Sequence, residues 1–83
     1  MASRVTFKAS VERDLRKLDP ADARKVLGKI EKELAKDPTI GEPLKGDFRG
    51  LYRYRIGDHR VIYAKTRDGI LVLRIGHRKD VYR

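Results

Sequence analysis

LYRYRIGDHRVIYAKTRDGILVLRIGHRKDVYR, residues 51–83, is the stretch whose reading decides the fold. β-branched and aromatic residues fill it between turn signals. It therefore predicts three short strands joined by tight turns, followed by a basic tail. Gly57-Asp58 suits a two-residue hairpin loop, with glycine at the first central position as type II′ geometry wants. That register pairs Ile56 with His59 and Arg55 with Arg60. Side chains alternate along a strand, so Arg53, Arg55, Arg60 and Ile62 share one face. Tyr52, Tyr54, Ile56, Val61 and Tyr63 share the other.

The second turn, Thr66 to Ile70, admits two registers. A two-residue Asp68-Gly69 loop sets Leu71, Leu73 and Ile75 beside Arg60. A three-residue loop with Gly69 in the left-handed region forms a bulge and shifts the register by one, which flips every side chain. Leu71, Leu73 and Ile75 then join the tyrosine face, and Arg74 and Arg78 join the arginines. Burying unpaired charge costs far more than any turn preference, so the second register is the expectation.

Upstream, Arg4-Val5-Thr6-Phe7 is a short β-prone run. Ser10 can cap a helix whose apolar face is Val11, Leu15 and Leu18. Asp19-Pro20 starts a second helix, as N-cap and first helical residue. Its stripe is Ala23, Val26, Leu27, Ile30 and Leu34, and Asp37-Pro38 ends it. The short connection folds the two helices into a hairpin. Thr39 to Gly50 reads as a loop tacked down by Leu44 and Phe48, carrying Lys45 and Arg49. The expected fold is α+β in the order β-α-α-β-β-β, with the helical hairpin packed on one face of a small, mainly antiparallel sheet.

Eighty-three residues make one small domain. The net charge is +9, unevenly placed: residues 1–44 carry 10 Lys+Arg against 8 Asp+Glu, and residues 45–83 carry 11 against 4. A basic, strand-rich half expects an anionic partner, nucleic acid first and an acidic protein second. Cysteine is absent, which excludes disulfides and thiolate metal sites and fits a reducing cytoplasm. No apolar run of signal-peptide or membrane-spanning length occurs, so no membrane association is expected.

Arg55 facing Arg60 is a like-charge conflict that the fold does not need, and local rules are broken most often at functional sites. Guanidinium groups match phosphate oxygens bidentately and keep their charge. The bland alternative is that the arginines splay to water and pair with Asp47, Asp58 or Asp80. His77 either transfers protons near neutral pH or packs at the strand end. Tyr82 either stacks on a base or pins the C-terminus. Tyr52, Tyr54 and Tyr63 read as core, and His59 as solvent-exposed. Two histidines without cysteine supply no metal-ligand set, and Gly41, Gly46 and Gly50 are too far apart for a phosphate-binding loop. No cofactor or metal is expected.

The segments Leu44-Lys45-Gly46, Leu51-Tyr52-Arg53-Tyr54-Arg55, Arg60-Val61-Ile62-Tyr63 and Ile75-Gly76-His77-Arg78-Lys79-Asp80-Val81-Tyr82-Arg83 resemble the RelE branch of the RelE/ParE toxin superfamily. The resemblance covers residues 1–83 in element order as a single RelE-like toxin domain. It implies the toxin of a type II toxin–antitoxin pair, a cytoplasmic endoribonuclease that enters the 30S A site of the ribosome and cuts mRNA. The 2′-hydroxyl attacks the adjacent phosphate and leaves a 2′,3′-cyclic phosphate. By position, Arg60 would stabilise charge on the phosphate, Arg78 would neutralise or protonate the leaving 5′-oxygen, and Tyr82 would stack on or orient the substrate. Lys45 and Arg53 match basic positions that approach the RNA, and Arg74 would add electrostatic support. The position matching Arg55 acts as general base where it is lysine, but arginine in proteins is effectively never deprotonated. Arg55 is therefore expected to bind phosphate or polarise the 2′-hydroxyl. The base falls to His77, Tyr82 or a ribosomal group, with His77 favoured because its free pKa lies nearest neutrality. The resemblance also implies a RelB-like antitoxin with an acidic, apolar toxin-binding segment. Two other functions fit the same charge: a ParE-like toxin that poisons DNA gyrase, and a non-catalytic RNA- or ribosome-binding module.

Overall fold

Proline at the first helical position costs no hydrogen bond, and its fixed φ suits a helix start. Accordingly Pro20 opens the longer helix, with Asp19 at the N-cap position. The computed structural model describes residues 4–77. The elements run β1 (Arg4–Phe7), α1 (Ser10–Arg16), α2 (Pro20–Lys29), β2 (Glu42–Pro43), β3 (Leu51–Ile56), β4 (His59–Lys65) and β5 (Gly69–His77). α2 continues through a π-helical turn, Ile30–Leu34, in which the Ala35 amide donates to the Ile30 carbonyl at 2.8 Å. The expected stripe holds there: Val26, Ile30 and Leu34 are buried.

The sheet order is β1-β5-β4-β3-β2. β1 pairs with β5 in parallel, and the other pairs are antiparallel. Thus the α+β order β-α-α-β-β-β stands, with one addition: the loop read from Thr39 to Gly50 contains β2, a two-residue edge strand opposite Arg53 and Tyr52. Proline is tolerated there because an edge strand needs no second ladder. The helices cover one face, where Val11, Val26, Ile30 and Leu34 meet Ile56, Val61, Tyr63, Ile70, Val72 and Ile75. Tyr63 lies at the centre, fully buried. Its hydroxyl donates to the Pro38 carbonyl at 2.7 Å and accepts from the Gly41 amide at 3.2 Å.

The first hairpin has the expected register, Ile56 opposite His59 and Arg55 opposite Arg60, with Gly57 at φ +60. The second turn corrects the reading. Gly69 is not left-handed. The Thr66 amide donates to the Gly69 carbonyl at 2.9 Å, so Arg67-Asp68 form a two-residue loop. Gly69 serves close approach instead: a Cβ there would lie 1.8 Å from the Arg4 carbonyl oxygen across the parallel β1–β5 pair. The bulge exists, but it falls within β5. Tyr63 pairs with Val72 while Ile62 pairs with Arg74, leaving Leu73 as the extra residue. Ile70 and Val72 therefore supply the core before the bulge and Ile75 after it, where Leu71, Leu73 and Ile75 were expected. The expected placement of Arg74 on the arginine face is kept. Ser10 is also corrected. Ala9 takes the N-cap position and no side chain caps α1, because backbone bonds close its start, the Val11 amide reaching the Lys8 carbonyl at 2.9 Å. Among the described residues no helix is long and apolar enough to cross a membrane.

Candidate active site

The face opposite the helices is organised in rows, because directly paired residues point to the same side of a sheet. One row runs Arg55–Arg60–Gly76 across β3, β4 and β5. The next runs Glu42–Arg53–Ile62–Arg74 and ends against Asp14 of α1. Ile62 is buried although it lies on this face. It sits in register between Arg53 and Arg74, whose aliphatic stems are suited to covering it.

The two rows differ in how their charges are met. Arg53 donates to Glu42 Oε2 at 2.6 Å. Arg74 Nε lies 3.8 Å from Asp14 Oδ2, and the same Asp14 oxygen accepts the Ile75 amide at 3.1 Å. Asp14 thus stands in for a missing strand where β5 runs on past β1. Arg55 and Arg60, in contrast, have no carboxylate within ion-pair distance among the described residues. Arg60 Nε is buried and has no hydrogen-bond partner there. A buried donor without an acceptor costs roughly 1–3 kcal/mol, and this one stands beside a second cation and opposite the side-chain-free Gly76. The arrangement offers two neighbouring arginines, paired across β3 and β4, to an anion.

Glu42 was not anticipated. Its carboxyl is held below the usual glutamate range by the Arg53 hydrogen bond first, then by the charge of Arg53, with Arg55 and Arg60 adding to the pull. It is therefore an ionised carboxylate within the field of three site arginines. The only signal for it in the sequence was an acid in Gly41-Glu42-Pro43, a stretch that reads as loop unless the edge strand is foreseen.

The other expected residues divide. His77 lies directly opposite His59, their rings edge-on at 6.2 Å. His59 itself pairs with the buried Ile56. The register therefore puts both imidazoles on the helix side of the sheet, across from Arg60. Lys45 is exposed just past β2, where the Leu44 amide reaches the Leu51 carbonyl at 2.9 Å. It lies about three strand residues, roughly 10 Å, from the Arg53 row. Arg78 and Tyr82 lie outside the described residues. Tyr52 and Tyr54 pack against the core as expected. Tyr54 also donates to Glu33 Oε2 at 2.5 Å. Burial and that carboxylate push its phenol up to about 12. No group of three or more metal-ligating side chains occurs among the described residues.

Fold and face together define a small basic α+β protein that presents arginines on the open side of its sheet. Comparison with known proteins narrows this. The family model described as the ParE toxin of the type II toxin–antitoxin system parDE matches residues 5–82. Toxin RelE of Mycobacterium tuberculosis is 34% identical over 83 residues, covering 95% of this chain and 84% of that protein. Toxin YoeB of Streptomyces coelicolor is 40% identical over 58 residues, covering 60% of this chain and 69% of that protein. The crystal structure of the toxin–antitoxin complex RelBE2 from Mycobacterium tuberculosis superposes with a TM-score of 0.88 at 28% identity, covering 94% of this chain and 100% of that one. The chain belongs to the ParE toxin family of type II toxin–antitoxin systems, and within it is RelE-like.

Proposed function

We propose that this toxin is a ribosome-dependent mRNA endoribonuclease that acts in the cytoplasm, cleaving by attack of a 2′-hydroxyl on the adjacent phosphate. The observation that carries the reading is the buried, partnerless Nε of Arg60 beside Arg55. A phosphate bound at the Arg55–Arg60 pair would offset charge that no carboxylate meets among the described residues, and a phosphorane-like transition state carries more negative charge on its oxygens. Arg60 stabilises that charge, and Arg55 holds the phosphate and polarises the 2′-hydroxyl. Arg78 neutralises the leaving 5′-oxygen, and Tyr82 orients the substrate. Arg53, Arg74 and Lys45 track the RNA backbone.

The proton acceptor in this reading is Glu42 rather than His77. Glu42 is ionised and borders the arginine rows, whereas His77 lies on the other side of the sheet. A bound phosphate would compete for Arg53 and add negative charge nearby. Both effects raise the Glu42 pKa toward its ordinary range and make it a better base. With so few residues and no strong base of its own, the protein depends on RNA already held in place by the 30S A site. A RelB-like antitoxin with an acidic segment is the expected partner, since the similar structure RelBE2 is a toxin–antitoxin complex.

The test is the double variant Arg60→Ala/Arg78→Ala. It should lose growth arrest while retaining the wild-type circular dichroism spectrum; full toxicity would overturn the site assignment. The name of the matching family model favours a second reading, inhibition of DNA gyrase. A supercoiling assay with purified gyrase separates the two.

A further inference from the structure

Gly28 stands inside α2, where glycine is destabilising relative to alanine. Nothing in the fold requires it: its φ is ordinary, and an added Cβ would meet no atom within 4 Å. Instead it leaves a notch in a groove of about 340 Å³ lined by Arg24, Lys25, Gly28, Lys29, Lys32 and Glu33. The groove's one carboxylate is already engaged. Glu33 accepts from Lys29 at 3.3 Å and from the Tyr54 hydroxyl, and these bonds hold it in its ionised form. With Lys29 bonded to Glu33, the lining offers three further cations, Arg24, Lys25 and Lys32.

α2 packs its Val26, Ile30 and Leu34 stripe onto the sheet, so this groove opens on the side of the molecule away from Arg55 and Arg60. We infer that it is a second RNA-contacting surface, which grips the phosphate backbone of a base-paired RNA segment while the arginine face handles the strand to be cut. Cations three or four residues apart, about 4.5–6 Å along the axis, suit a run of backbone phosphates. The notch lets that backbone approach the helix closely. A protein partner would need aromatic or apolar anchors, and this lining has none. The inference deepens the proposed function, because RNA held in a large folded particle would present such a segment. It is read by binding alone, so its failure and the failure of the cleavage reading are separable.

The experiment uses the full chain carrying Arg60→Ala to suppress cleavage, with and without Arg24→Gln/Lys25→Gln/Lys32→Gln. Lys29 is kept so that its bonds to Glu33 remain. Binding of a fully base-paired RNA hairpin is measured against salt concentration. The expected result is at least about tenfold weaker binding at moderate salt and a salt slope shallower by about 2.7 for the three cations removed, since each duplex phosphate contact contributes about 0.9. A second variant, Gly28→Gln, fills the notch. It should weaken hairpin binding without lowering the thermal midpoint, because nothing inside the protein occupies that space. Unchanged affinity and slope in the triple variant would overturn the inference. So would unchanged hairpin binding accompanied by lost binding of a synthetic acidic peptide, which would mark a protein interface instead.

Discussion

Replacing Arg60 with methionine should make the protein more stable and less active. Methionine keeps an unbranched apolar stem of similar length, so packing on β4 is largely retained. What disappears is a buried donor with no acceptor and a cation facing Arg55. The first relief is worth about 1–3 kcal/mol and the second about 0.2–1 kcal/mol. Allowing for packing lost to imperfect fit, a net gain of about 1–2 kcal/mol is expected. For a domain of this size each kcal/mol moves the midpoint by about 4–8 °C, so thermal unfolding should rise by roughly 5–15 °C. In the opposite direction, removing one donor aimed at developing oxyanion charge costs about 10²–10³ in turnover. Unfolding followed by circular dichroism, together with cleavage of ribosome-bound message, reads both. A variant that unfolds at a lower temperature than wild type would refute the reasoning, since the guanidinium would then be stabilising the fold rather than waiting for a ligand.

Gly41→Ala should destabilise by about 2–4 kcal/mol, because its Cβ would fall 2.2 Å from the Tyr63 hydroxyl and displace a buried side chain that makes two partly buried hydrogen bonds. Urea unfolding measures this, and Tyr63→Phe in the same background should cost little more. Acid should weaken the fold through Glu33, Asp37 and Glu42, whose carboxyls are all held below their ordinary values: by the Tyr54 hydrogen bond, the Thr39 side-chain bond and the Arg53 bond respectively. A group with a depressed folded pKa contributes stability above its unfolded pKa, and that contribution is lost as pH falls through the folded one. The decline should therefore begin below about pH 4–5, and a stability profile flat to pH 2 would contradict it. At the alkaline end Tyr54 is raised, to about 12, so its contribution is complete below pH 10 and lost as pH climbs toward 12. Tyrosinate absorbance should show a late step that Tyr54→Phe removes.

Much of this was legible in the sequence because two kinds of signal are local. Gly57-Asp58 fixed one hairpin, and with it the Arg55–Arg60 pairing. Asp19-Pro20 and Asp37-Pro38 bracketed the second helix. What escaped depended on partners distant in sequence. Gly69 looked like a turn glycine, yet its smallness serves the backbone of Arg4, far away at the start of the chain. The bulge falls at Leu73 rather than in the turn, and Ile70 and Val72 take the core places expected for Leu71 and Leu73. Glu42 was invisible for a similar reason. A two-residue edge strand has no periodicity to detect, and only its pairing with Arg53 brings the carboxylate to the arginine rows. His77 was drawn toward the site by being an imidazole, whereas the strand's alternation sends it with His59 to the other side.

The central claim is tested most directly by mapping the ends of messenger RNA on programmed ribosomes after adding the purified toxin. The account predicts cuts confined to A-site positions, with 2′,3′-cyclic phosphate on the upstream fragment, and no comparable cleavage of the same RNA free in solution. Equal cleavage of free and ribosome-bound RNA would contradict it, as would intact message together with inhibited gyrase supercoiling.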